Sequence, residues 1–192
     1  MIGTHNTFTY LPCDSKIVEG QSRFWRCQDM TISEQYKFGV RYFDIRIFRT
    51  VKNGRAVWQA AHGMAELKKT WMNIKSICNM VKNTYKGSKF RLLLEKGDQD
   101  DIDEFAKQVN EYAPKYPQLD WAIIKNGWIQ VYIRDDHPKW NEYSYEDWNV
   151  DDVIKNLASY PIKENAIKKN PTITKYMIET EDEVWLMDFI NH

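Results

Sequence analysis

The chain has 192 residues, long enough for one domain with a sizeable core. Lys and Arg (27) balance Asp and Glu (27). No global field therefore draws the protein to nucleic acid or anionic lipid, and an anionic ligand needs a local site. The 14 % aromatic content argues for an ordered interior and against disorder.

Met1 to Asn6 reads as a short apolar strand that ends on His5. Residues 7–30 are mostly polar and read as irregular, with a turn at Leu11-Pro12-Cys13-Asp14. Cys13, Cys27 and Cys78 form no CxxC pair and fit no zinc spacing. They are expected as free thiols, with a Cys13–Cys27 loop bridge as the alternative. Thr31-Ile32-Ser33-Glu34 is a capping box opening a short helix that stops at Gly39. A strand at 40–48 follows, then a turn at Lys52-Asn53-Gly54 and a strand at 57–61 that ends on His62.

Leu67, Trp71, Ile74, Ile77, Cys78 and Val81 recur at helical spacing, which predicts a helix over 66–84. Phe90 to Glu95 reads as a buried strand and Asp101 to Tyr112 as an amphipathic helix. Short strands are predicted at Trp121–Lys125 and Trp128–Arg134, a helix near 150–159, and last strands at Ile173–Ile178 and Val184–Phe189. The stretch from Trp140 to Trp148 is rich in Trp and Tyr and reads as packing, a capping loop or a stacking wall. About eight strands alternating with helices give an α/β fold with a parallel sheet, in which sites gather at the carboxyl ends of strands. No repeat, linker or membrane-spanning stretch interrupts the pattern, so residues 1–192 are read as a single domain.

His5, Arg46, His62 and Glu95 all fall at or near such strand ends. Asp44 and Arg46 share one face of their strand, because side chains alternate with period two. Phe43, Ile45 and Ile47 between and beyond them are apolar, so a charged pair here is costly unless it serves a site. Glu95 has three readings: metal ligand, orienter of a base, or partner of Lys96. Asp188 is an acid inside the apolar run Val184 to Ile190 and needs a definite partner. His137 and His192 are given no catalytic role.

Gly3-Thr4-His5-Asn6, then Gly39 to Arg46, then His62-Gly63, together resemble the X-domain of phosphatidylinositol-specific phospholipases C. The resemblance is strong over 1–97 and thin beyond, where Leu186-Met187-Asp188-Phe189 is similar to the family's last-strand aspartate. It implies a distorted, compact TIM-type barrel and a phosphodiesterase that splits phosphoinositide-type diesters through a cyclic phosphate. It further implies His5 as general base, His62 as general acid, Arg46 against the phosphoryl oxygens, and Asp188 or Asp44 orienting the base. Asn6, Glu95, Lys96 and Arg134 are the expected substrate-binding residues, with Trp128 and Tyr132 as head-group candidates.

Metal-dependent members have ligands where Asn6, Asp44 and Glu95 stand, but Arg46 occupies the fourth ligand position. A fixed guanidinium largely excludes a nearby cation, which favours a metal-free reaction with no cofactor. A calcium-dependent enzyme using Asn6, Asp44 and Glu95 is the first alternative, and a catalytically inactive binding module the second. The expected partner is a phospholipid or soluble phosphodiester, with peripheral membrane contact and no nucleic acid. The family resemblance implies secretion, although no signal peptide precedes the first strand.

Overall fold

The computed structural model describes residues 2–68, 70, 72–125, 128–132, 140–142 and 184–187. β1 (Ile2–Thr4) is short and leads at once into a turn. α1 (Lys16–Glu19) starts on Ser15, whose hydroxyl accepts from the Val18 N–H. α2 (Ile32–Phe38) has the reciprocal capping box of Thr31 and Glu34, and Gly39 closes it at φ 117° in the left-handed region open to glycine. β2 (Tyr42–Lys52) turns through Asn53 and Gly54, both at positive φ (52° and 72°), into β3 (Arg55–His62). Two successive positive φ values are what a tight hairpin with right-twisted strands requires.

The predicted helix over 66–84 is only half correct. β4 (Ala65–Glu66) pairs antiparallel with β3, Leu67 bridges to Cys13, and Met72 bridges to Trp58. Asn73 then caps the helix by accepting from the Ser76 N–H, so α3 runs only over Ile74–Thr84. The helical spacing of Leu67 belongs to a segment whose backbone groups were claimed by β3 instead. β5 (Lys89–Lys96) follows, then α4 (Gln99–Tyr112), which begins at an Asp98–Asp101 capping box two residues before the predicted start. β6 (Leu119–Lys125), β7 (Trp128–Tyr132), β8 (Trp140–Glu142) and β9 (Val184–Met187) complete the sheet among the described residues. The helix expected at 150–159 and the strand at 173–178 lie outside those residues.

The nine strands run in the order β7-β6-β5-β2-β1-β9-β8, with β3 and β4 extending from β2. β1, β2, β5 and β6 pair in parallel, as do β1 with β9 and β9 with β8. The fold is therefore mixed α/β around a parallel centre. The barrel expected from the sequence is met only in part, because among the described residues β7 and β8 end the path and the sheet stays open.

The alternation in β2 decides what each face does. Phe43, Ile45 and Ile47 join Leu92, Leu94, Ile74, Ile77, Val81, Phe105 and Val109 in the hydrophobic core. Each large aliphatic side chain buried there contributes about 1.5–3 kcal/mol relative to exposure. Tyr42, Asp44 and Arg46 point the opposite way, and parallel register places Asp44 beside Arg91 and Arg46 beside Leu93 of β5. One face of the same two strands thus builds the core, and the other carries charge. Among the described residues no helix is long and apolar enough to cross a membrane.

Candidate active site

His5 lies one residue beyond the end of β1, and the chain turns sharply at Asn6, whose φ is +50°. Asn tolerates this left-handed geometry better than most residues. The turn is held by the Asn6 N–H donating to Asp44 Oδ2 (3.1 Å) and by Thr9, whose N–H (3.0 Å) and hydroxyl (2.8 Å) donate to the Asn6 carbonyl. The Gln28 side-chain amide donates to the His5 carbonyl at 3.0 Å. His5 is thereby fixed by backbone on both sides and is only 2 % exposed.

Arg46 lies at the centre. Its Nη2 donates to His5 Nε2 at 2.5 Å, its Nε donates to Asp44 Oδ2 at 2.9 Å, and its Nη1 stands 3.5 Å from Glu95 Oε2. Because a guanidinium only donates, Nε2 is the acceptor nitrogen of His5 in this arrangement. Asp44 is completely buried and its other oxygen, Oδ1, accepts from Arg91 Nε at 2.8 Å. Burial alone would raise the Asp44 carboxyl pKa, but the Arg46 and Arg91 guanidinium groups outweigh it and hold the group well below the ordinary carboxylate range.

His62 closes β3 and faces His5, with ring centroids 5.7 Å apart and planes at 81°. Its Nδ1 donates to the Trp25 carbonyl at 2.6 Å, with Cys27 Sγ 3.6 Å from the same nitrogen. That leaves Nε2 as the nitrogen able to exchange a proton with a ligand. Burial pushes the His62 pKa down to about 4, with Glu95 opposing the shift and Arg46 and His5 adding to it. Gly63, at φ +54°, turns its N–H to Glu95 Oε1 (2.7 Å), which fixes that carboxylate between His62 and Arg46.

The structure brings His5, Asn6, Asp44, Arg46, His62 and Glu95 together. Lys96 is drawn away to Glu66 (2.6 Å) and over the Phe48 ring (4.3 Å), on a rim where the pair is 40 % and 43 % exposed. Arg134 and Asp188 lie outside the described residues, and so do the side chains of Trp128 and Tyr132. Two contributors escaped the sequence reading. Arg91 was hidden between Phe90 and Leu92, where strand alternation alone gave the signal. The Trp25 carbonyl comes from residues 7–30, read as irregular. Trp25 Nε1 donates to the Val18 carbonyl (2.8 Å) and Arg26 pairs with Glu19 (3.0 Å), which ties this segment to α1. All three cysteines are unbridged and buried.

Asn6, Asp44 and Glu95 do not fit a calcium ion. Calcium takes about six to eight oxygens, yet both Asp44 oxygens are engaged by two guanidinium groups and the Asn6 N–H. Among the described residues no three His, Cys, Asp or Glu side chains are gathered in metal-binding fashion.

A buried cation flanked by two histidines and two carboxylates suits an anion whose reaction moves one proton in and one out. A similar fold is found in bacterial phosphatidylinositol-specific phospholipases C. The Listeria monocytogenes enzyme matches with a TM-score of 0.62 at 12 % identity, over 98 % of this chain and 87 % of that one. A Staphylococcus aureus structure, solved in work on modulation of the enzyme's membrane binding, matches with a TM-score of 0.60 at 16 % identity, over 100 % and 86 %. A mutant of the S. aureus enzyme gives a TM-score of 0.61 at 15 % identity, over 100 % and 86 %. These likenesses are of fold. No family model and no curated protein matches the chain.

Proposed function

We propose that the chain is a phosphodiesterase of the phosphatidylinositol-specific phospholipase C type that works without a metal. The observation that carries this reading is Arg46, a buried guanidinium in hydrogen-bond contact with one histidine and within the same pocket as a second. The fold likeness to bacterial phospholipases C supports the same substrate class, a phosphodiester whose alcohol bears a neighbouring hydroxyl. A phospholipid with an inositol-type head group and a soluble glycerophosphoinositol both meet that description, and the phospholipid would be reached by peripheral membrane contact.

The phosphoryl oxygens draw the Nη donors of Arg46, whose rigid fork matches two of them and gains strength as charge builds. His5 Nε2 then takes the proton of the neighbouring hydroxyl. That oxygen attacks phosphorus, the bond from phosphorus to the departing oxygen breaks, and His62 Nε2 delivers a proton to the departing oxygen. The products are a cyclic phosphodiester and a free alcohol, and proton exchange with water resets both rings. Before substrate binds, burial keeps the His62 pKa at about 4, so the ring is neutral at pH 7. An anionic phosphodiester beside it offsets Arg46 and raises that pKa, so substrate binding itself loads the acid. The metal-free reading rests on the saturation of Asp44 by Arg46, Arg91 and the Asn6 N–H.

His5→Ala and His62→Ala test this directly. Each should lower kcat by about 100- to 10,000-fold, the usual worth of a general acid or base, with the melting transition retained. A folded variant that turns over at the native rate would remove its histidine from the mechanism.

A further inference from the structure

A second guanidinium lies beneath the site, out of reach of substrate. Register places Asp44 of β2 beside Arg91 of β5, and Arg91 beside Asp120 of β6. Tyr42 completes the row by donating its hydroxyl to Asp120 Oδ2 at 2.8 Å. Tyr42, Asp44 and Arg91 are fully buried and Asp120 nearly so. A buried ion network of this kind is poor evidence for stability, because apolar residues of the same volume would often fold at least as well. Its position is more informative. One oxygen of Asp44 holds Arg91 (2.8 Å), and the other holds Arg46 (2.9 Å) together with the turn that carries His5 (3.1 Å). Turning the Asp44 carboxylate would move the catalytic guanidinium and the base at once, and Arg91 is the charged group that fixes that rotation from below.

We propose that Arg91 is a positioning residue for phosphoryl transfer: acting through Asp44, it sets the angle of the Arg46 fork against His5 without touching the substrate. This rests on the phosphodiesterase reading above. A misplacement of about 1 Å at the reacting centre is worth on the order of 100-fold in rate, so Arg91→Met should lower kcat by about that factor with a smaller change in KM. Arg91→Lys keeps the charge but loses the planar fork, and should fall between Arg91→Met and the native protein.

Two readouts separate positioning from mere support. The groups around Asp44 are Arg46, Arg91, His5, Glu95, Asp120 and Tyr42. With Arg91 removed, Asp44 loses one of its two cations and protonates at higher pH, so the acid limb of kcat/KM should move upward. The nitrogen-15 resonance of His5 Nε2 should also shift in Arg91→Lys, because the hydrogen bond from Arg46 changes. The resonance needs no turnover, so it decides the proposal even if the native protein cleaves no phosphodiester, a result that would count against the functional reading alone. Should Arg91→Met fail to fold, Arg91→Lys carries the test. A folded Arg91→Lys protein with native kcat and an unmoved His5 resonance would overturn the proposal, as would a folded Arg91→Met protein with native kcat and a native acid limb.

Discussion

The two histidines face each other from parts of the fold built on different physics. His5 hangs from the parallel centre of the sheet, and its surroundings are buried charges: Arg46, then Asp44, then Arg91. His62 ends an antiparallel hairpin; its Nδ1 is anchored by the Trp25 backbone carbonyl, with Cys27 Sγ close by, and Glu95 acts on it through charge. His5 is thus positioned by ion pairs that are costly to break, whereas His62 is tuned by desolvation. The difference assigns separate sensitivities: the His5 side should respond to changes of charge, and the His62 side to pH.

Among substitutions that keep both histidines, the largest effect is expected from Arg46→Lys, which keeps a cation but abandons the fork to Asp44 and His5. A loss of kcat of about 100- to 1,000-fold is expected, the worth of one preorganised donor aimed at developing charge. A near-native rate would mean that any cation suffices there, and the contrast between the two sides would collapse. Next comes stability. Asp44→Asn removes the buried anion that Arg46 and Arg91 share and should cost about 3–5 kcal/mol in urea unfolding. Glu66→Gln, which breaks the half-exposed Lys96 pair on the rim, should cost below about 1 kcal/mol. Equal costs would show that burial does not set the energetics of these pairs.

The acid side predicts a smaller, graded effect. His62 titrates near 6.5 when unfolded and about 4 when folded, so the unfolded chain takes up the proton first. Stability should fall as pH drops from about 6.5 to about 4, by roughly 3 kcal/mol from this group, and then level off for it. Asp44, depressed in the fold, adds a further loss that begins as pH falls through the ordinary carboxylate range, where the unfolded chain takes up the proton, and continues below it. His62→Ala should flatten the upper window alone, as followed by melting temperature against pH.

Local signals were legible where the chain satisfies itself locally. The Thr31–Glu34 capping box, Gly39, the turn at Asn53-Gly54 and the period-two face of Asp44 and Arg46 all lie within a few residues of their partners. The strand-end rule and the family resemblance put His5 and Arg46 in one site, but the direct contact between them, across 41 positions of sequence, was not legible from local pattern. Leu67 misled because helical spacing cannot report that Ala60 and Cys13 compete for its backbone. Lys96 reads as a head-group contact because it is a basic residue at the end of a strand, while the structure pairs it with Glu66. Trp25 was invisible because its contribution is a carbonyl, which every residue owns.

The central claim is that a built-in cation, Arg46, does at a two-histidine site what a metal would otherwise do. Phosphorus NMR of a phosphatidylinositol reaction run in excess EDTA tests it most directly. The account predicts a cyclic phosphodiester signal that grows at the same rate with and without the chelator. A reaction that stops in EDTA and returns with added calcium would contradict it.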